Sequence, residues 1–217
     1  MSTIAIIGGH GKVAMHLARM LSDGGHQVSS LFRNPDHRSD VESTGATPVV
    51  ADVEHLSTDE IAELIAGHDA VVWSAGAGAS GGTAATYAVD RDAAIRSMDA
   101  AQNAGVRRYV MVSFIGSRND HGIPESEALF DYAEAKAAAD DYLRGTYLEW
   151  TILGPGMLTE DVGNGLIEAA PEPADNKISR EDVARVAAFV LDKPETAGRF
   201  IAFNNGDTPI EDAISVA

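Results

Sequence analysis

The 217-residue sequence contains no cysteine. That excludes a disulfide framework, a thiolate metal site and a cysteine nucleophile. Positive charge is scarce: 16 Lys and Arg stand against 33 Asp and Glu, for a formal net charge of −17. Such a surface repels phosphate backbones and anionic lipid, so neither nucleic acid nor a membrane is an expected partner. The acid is dispersed along the chain rather than gathered in a tail, and it reads as a solvated surface. Aromatic residues make up 6% of the chain, and Tyr142, Tyr147 and Trp150 lack the cations of a base-stacking platform. No apolar run approaches the roughly 20 residues of a transmembrane helix. The opening Met1–Gly8 has no basic leader, so a cytoplasmic location is expected.

What is present suits one domain spanning residues 1–217: 45% of the residues are hydrophobic, enough for a sizeable core. Short apolar runs alternate with longer helical patterns. Thr3–Ile7, Gln27–Phe32, Pro48–Ala51, Asp69–Ser74, Arg107–Ser113 and Leu148–Leu153 read as strands. Between them, Lys12–Leu21, Thr58–Ala66, Ala84–Ala104 and Glu125–Arg144 read as helices. Nearly continuous apolar strands joined by helices predict an α/β fold with a doubly wound parallel sheet, a Rossmann fold. Residues 154–178 change texture to Gly, Pro and acid and are expected to form a loop-rich substrate lobe. A helix after Ser179, a strand at Arg199–Phe203 and a short helix at Thr208–Val216 should close the domain.

The first strand runs into Gly8-Gly9-His10-Gly11-Lys12-Val13-Ala14. Small residues at Gly8, Gly11 and Ala14 permit a tight turn, backbone approach to a pyrophosphate and close helix–strand packing. The helix after the loop offers free N–H groups and a positive dipole end to phosphates. The loop's position between the first strand and the first helix supplies the context that a lone glycine motif lacks. Gly8, Gly9, His10, Gly11, Lys12 and Val13 are therefore the expected pyrophosphate cradle. The second strand ends in Arg33 where an NAD site carries an acid. A guanidinium there can pair with a 2′-phosphate, and Lys12 adds a second cation. NADP is the expected cofactor, with NAD as the alternative. Asp52 is either an acceptor for the adenine amino group or a turn residue, with Val53 beside it. Ser74, Ala75 and Gly76 allow backbone approach along the ribose and phosphates, and Trp73 is read as core or as a neighbour of the cofactor.

Tyr132 and Lys136 are four residues apart on a helix and so share a face. A phenol has a reference pKa of about 10, and a nearby ammonium is expected to lower it. The pair can then exchange a proton while a hydride moves at carbon. Ser113, at the C-terminal end of the fifth strand, lies on the edge where doubly wound sheets bind ligands, and its hydroxyl can steady a substrate carbonyl. The seven histidines show no compact ligand spacing, so no metal is expected.

Taken with Leu31-Phe32-Arg33-Asn34-Pro35, Ala51-Asp52-Val53, Val89-Asp90-Arg91-Asp92, the run Ala104–Ser113 and Ile178–Ala184, these motifs cover essentially the whole chain. The chain resembles the short-chain dehydrogenase/reductase superfamily, in its atypical branch of small NAD(P)H-binding proteins related to flavin/biliverdin reductases and NmrA-like regulators. The resemblance implies a nicotinamide cofactor across the strand tips and a Ser113–Tyr132–Lys136 constellation. Two departures stand out: Gly154-Pro155-Gly156 replaces that branch's Arg-Pro-Gly, and the gap from Ser113 to Tyr132 is long. The expected activity is NADP-preferring hydride transfer to a small carbonyl, quinone-like or flavin-like acceptor, by a monomer or homodimer. A non-catalytic NADPH sensor and a nucleotide-sugar epimerase or dehydratase are the alternatives; the short chain after the sixth strand argues against the latter.

Overall fold

The computed structural model describes residues 1–78 and 82–216. Five β-branched or small residues, Thr3–Ile7, form β1, buried from Ile4 onward. Helix α1 (Lys12–Asp23) and β2 (Gln27–Phe32) come next, then a 3₁₀ turn at Pro35–His37, α2 (Arg38–Glu42) and β3 (Thr47–Val50). Helix α3 (Thr58–Ile65) opens on a reciprocal cap in which Ser57 accepts from the Glu60 N–H and Glu60 accepts from the Ser57 N–H. After it stand β4 (Ala70–Trp73), α4 (Gly82–Thr86), a π-helical segment Tyr87–Ala93 and α5 (Ala94–Asn103). Then β5 (Arg108–Val112), α6 (Phe130–Arg144), β6 (Glu149–Pro155), β7 (Met157–Thr159), β8 (Leu166–Ala169) and β9 (Lys177–Ser179) lead to α7 (Arg180–Leu191). Strands β10 (Arg199–Asn205) and β11 (Thr208–Pro209) and helix α8 (Ile210–Val216) end the chain.

The main sheet has nine strands in the order β11-β8-β10-β6-β5-β4-β1-β2-β3. From β3 to β10 every pairing is parallel, and the order reverses beside β1, which is the doubly wound arrangement expected. Each face buries its own apolar layer. On one side Leu17, Leu21, Val183 and Val186 pack against Ile4, Ile6 and Val110; on the other Ile61, Met98 and Leu143 pack against Val71, Tyr109 and Met111. Trp73 is fully buried in the second layer, so it is core. The buried Arg108 ties the start of β5 to the end of α7: it donates to the carbonyls of Glu149 (2.6 Å) and Val190 (2.7 Å) and to Thr196 Oγ1 (3.0 Å). Burial lowers its pKa to about 10, so it remains charged at neutral pH.

The structure differs from the expectations in several places, among them Thr208 and Pro209, expected to open the closing helix, which pair with β8 as β11. Residues 154–178 hold three strands: β8 joins the main sheet antiparallel to β10, and β7 pairs with β9 in a small parallel sheet. Each is too short to show a period in sequence. Helix α6 starts at Phe130 rather than Glu125, because residues 125–129 are all exposed and bury no stripe that would stabilise a helix. The helix expected from Ala84 to Ala104 contains the π segment, which adds a residue to the turn and rotates α5 relative to α4.

Candidate active site

The glycine turn is built for close approach. Gly8 has φ +88°, a region open to glycine, and a Cβ there would lie 2.5 Å from the Ala75 nitrogen. A Cβ on Gly9 would lie 2.6 Å from Ser30 Cβ. The Gly8 and Gly9 N–H groups both donate to the Leu31 carbonyl, at 3.0 and 2.7 Å, which clamps the turn onto β2. Gly11 caps the 12-residue α1 with no side-chain hydrogen bond, and it is exposed. The first amides of that helix therefore face an open groove.

The groove has two ends that meet at Gly11, Ser74, Ala75 and Gly76. Phe32, Arg33, Asp52 and Val53 line one end. Arg33 is exposed, and among the described residues its guanidinium makes no ion pair or hydrogen bond. Asp52 acts as a turn residue: its Oδ1 accepts from the Glu54 N–H at 3.3 Å and its Oδ2 lies 3.4 Å from His55 Nδ1. Of the two roles left open for it, the turn is the one seen. Asp52, Glu54 and His55 also bring ligand atoms within 4.8 Å of one another, a grouping the histidine spacing did not suggest. His10 stacks on His37 (centroids 3.6 Å apart) and its Nε2 lies 3.1 Å from Asp40 Oδ2.

Lys12 lines the groove beside Gly11 and Val13. Its ammonium, expected beside the diphosphate, pairs with Glu160 at 2.6 Å, and Glu160 is also held by Arg180 at 2.9 Å. Both side chains of the Lys12–Glu160 pair are exposed, so it is a weak one.

At the other end, Tyr132, Lys136 and Asp140 lie along one face of α6, opposite Ser113 and Asp90. Lys136 is 1% exposed, and its Nζ donates to the Val112 carbonyl at 2.9 Å. Asp90 comes from the π segment and accepts from the Ala77 N–H at 3.0 Å. One oxygen of the buried Asp140 accepts from both Ser113 (2.6 Å) and Ser117 (2.5 Å). Burial pushes both carboxyls above the ordinary Asp value, and Lys136 opposes that shift in each.

Two consequences revise the expected chemistry. The Tyr132 pKa is raised, not lowered: its ring is desolvated, and the carboxylates Asp90 and Asp140 raise it further. Tyr132 is then a phenol at neutral pH and can give a proton, and its hydroxyl makes no hydrogen bond to any described residue. Ser113 has given its single O–H to Asp140, so towards the groove it presents lone pairs that accept from a hydroxyl rather than steady a carbonyl.

Sequence reasoning missed Asp90, Asp140 and Ser117. Asp140 carried a signal, since it continues the four-residue spacing of Tyr132 and Lys136.

The glycine cradle and the uncapped helix start together fit a dinucleotide. The fold and site thus define a dinucleotide-binding protein of the Rossmann class. The profile of a family described as NAD(P)H-binding matches residues 8–194, and the chain belongs to that family. The chain is 35% identical over 212 residues to a Bacillus subtilis (strain 168) protein named uncharacterized sugar epimerase YhfK, covering 97% of this chain and 98% of that protein. Among solved structures, it is similar to a candidate NAD-dependent epimerase/dehydratase from Bacillus halodurans, with TM-score 0.92 and 31% identity over 100% of both chains. The oxidoreductase ylbE from Lactococcus lactis aligns with TM-score 0.87 and 30% identity, over 99% of this chain and 95% of that one. Among the described residues, no helix is long and apolar enough to cross a membrane.

Proposed function

We propose that the chain is an NADP-preferring oxidoreductase that reduces a small carbonyl compound, with NAD as a weaker substitute. One observation carries this reading: a single groove has the partnerless Arg33 at one end and the unbonded Tyr132 hydroxyl at the other, joined over a turn that tolerates no side chain. Bound there, the reduced nicotinamide supplies a hydride to carbon. The amides of Lys12 and Val13 at the start of α1 hold the diphosphate over the glycine turn, and Arg33 pairs with the 2′-phosphate. Asp52 and Val53 flank the adenine, while Ser74, Ala75 and Gly76 allow the backbone to lie close to the ribose and phosphates. Lys136 holds ribose hydroxyls, and its charge is balanced by Asp90 and Asp140. Tyr132 gives its proton to the oxygen of the reduced carbon, and Ser113 accepts from the hydroxyl so formed. A quinone or flavin acceptor would draw its proton from solvent and use Tyr132 less.

A second reading is hydride transfer without net redox change on a sugar-like substrate. The name of the Bacillus subtilis relative favours it, and so do Thr83, Thr86, Glu127 and Asp131, which line the groove beside Tyr132.

The test is a titration of NADPH and NADH, then an absorbance screen of aldehydes, ketones, quinones, flavins and sugars. Tighter NADPH binding with net NADPH oxidation is the expected result. Turnover of a sugar with no net oxidation would move the assignment to the second reading. Binding with no turnover across the panel would leave a sensor of NADPH.

A further inference from the structure

The dinucleotide groove is not the only concavity. On the face carrying α3, α5 and α6, the sheet continues past α6 into β10 and β8. A cavity of about 550 Å³ opens there, within the size range of small-molecule sites. Its composition runs against the rest of the molecule: Arg118, Arg144 and Arg199 line it, and among the described residues none of the chain's 33 acids does.

The acids that pair directly with Arg118 and Arg144 stand outside the cavity and are wet, while the buried Asp140, held by Ser117 behind the wall, attracts Arg144 through space. Asp120, 3.5 Å from Arg118, is 93% exposed, and Asp141, 3.3 Å from Arg144, is 54% exposed. Arg199 donates to the Ile214 carbonyl at 3.1 Å. Ion pairs so exposed are weak and leave their cations able to accept a buried anion in exchange.

The floor is flat and apolar. Phe200 lies across it with the Arg144 guanidinium carbon 5.7 Å above its ring. The ring rests on Gly154, where a Cβ would come within 2.5 Å of it. The missing side chain of Gly154 is what makes room for the ring.

We propose that this cavity is a second binding site, for a small planar organic anion such as an aromatic carboxylate or aryl phosphate. The ring of the ligand lies on Phe200, and its acidic group faces Arg118 and Arg144.

The experiment is calorimetry on the full chain saturated with NADPH, so that the dinucleotide groove cannot respond. Phenyl phosphate and benzoate are the probes, benzamide is the neutral control and inorganic phosphate the control without a ring. Phenyl phosphate or benzoate is expected to bind with benzamide and inorganic phosphate at least about tenfold weaker. Arg144→Gln and Arg118→Gln should each weaken binding by about tenfold, and Phe200→Leu should weaken the aryl anions alone. Absence of heat with both aryl anions, equal binding of benzamide, or insensitivity to Arg118→Gln and Arg144→Gln would overturn the site.

Discussion

The two ends of the groove are made from different materials. The Arg33 end is backbone and surface: a glycine turn clamped by Leu31, the amides of α1 and one exposed arginine. The Tyr132 end is buried charge, with Lys136 and two carboxylates brought together from α6 and the π segment beside the half-buried phenol. The first depends on steric room and should fail when room is removed. The second depends on a balance of charges in low dielectric, where each group sets the state of the next.

The sharpest break is at the turn. Gly9→Val puts branched carbon where even a Cβ would lie 2.6 Å from Ser30, and it must push α1 away from β2. Such overpacking costs about 1–3 kcal/mol of stability, and the displaced amides no longer converge on a diphosphate. Calorimetry should find no NADPH binding, while circular dichroism still shows the fold. Binding equal to the wild type would remove the turn as the seat.

At the other end, Tyr132→Phe should lower kcat by about 10²-fold and leave NADPH affinity unchanged. The pH profile is more telling. Burial and the two carboxylates hold the phenol above its ordinary value, and the acid form is the donor, so carbonyl reduction should persist to alkaline pH. A falling limb due to Tyr132 belongs above the reference phenol pKa of about 10. A limb at neutral pH, absent in Tyr132→Phe, would mean that the ammonium wins over the carboxylates.

Arg33→Ala sharpens the contrast, because an exposed side chain can be removed without disturbing packing. NADPH should weaken by about 10- to 100-fold, the worth of a charge-assisted contact, and NADH should hardly change. Equal losses for the two coenzymes would refute the 2′-phosphate pairing.

This difference in material also explains what could be read from sequence. The parallel strands are apolar on both faces, and the turn depends on residues adjacent in the chain, so β1, β2, β4, β5 and β6 and the cradle were legible. Tyr132 and Lys136 were visible through helical spacing. Asp140 continues that spacing, but Asp140-Asp141 reads equally as surface acid. Asp90 was hidden by phase: among Asp90, Arg91 and Asp92, a regular 3.6-residue period cannot say which faces inward when the π segment shifts the register. The Lys12–Glu160 pair joins residues 148 apart and had no local signal at all.

The smallest effect tests the charge balance itself. In Asp140→Asn the amide oxygen can still accept from Ser113 and Ser117, so the change removes charge and keeps those bonds. Desolvation raises the folded-state pKa of Asp140 above the ordinary Asp value, in spite of Lys136 and both serines. Between the unfolded and folded values the native chain holds more protons than the unfolded one, so stability falls as pH rises through that window. The wild type should therefore be most stable relative to Asp140→Asn at the acid end. It should lose ground as pH climbs from the ordinary carboxylate range, then level off above the raised value. Urea unfolding of both proteins across that range measures the difference directly. A wild type that gains on the variant with rising pH would show that Lys136 and the serines overcome burial, and Tyr132 would then face a fully ionised neighbour whose charge the ammonium already cancels.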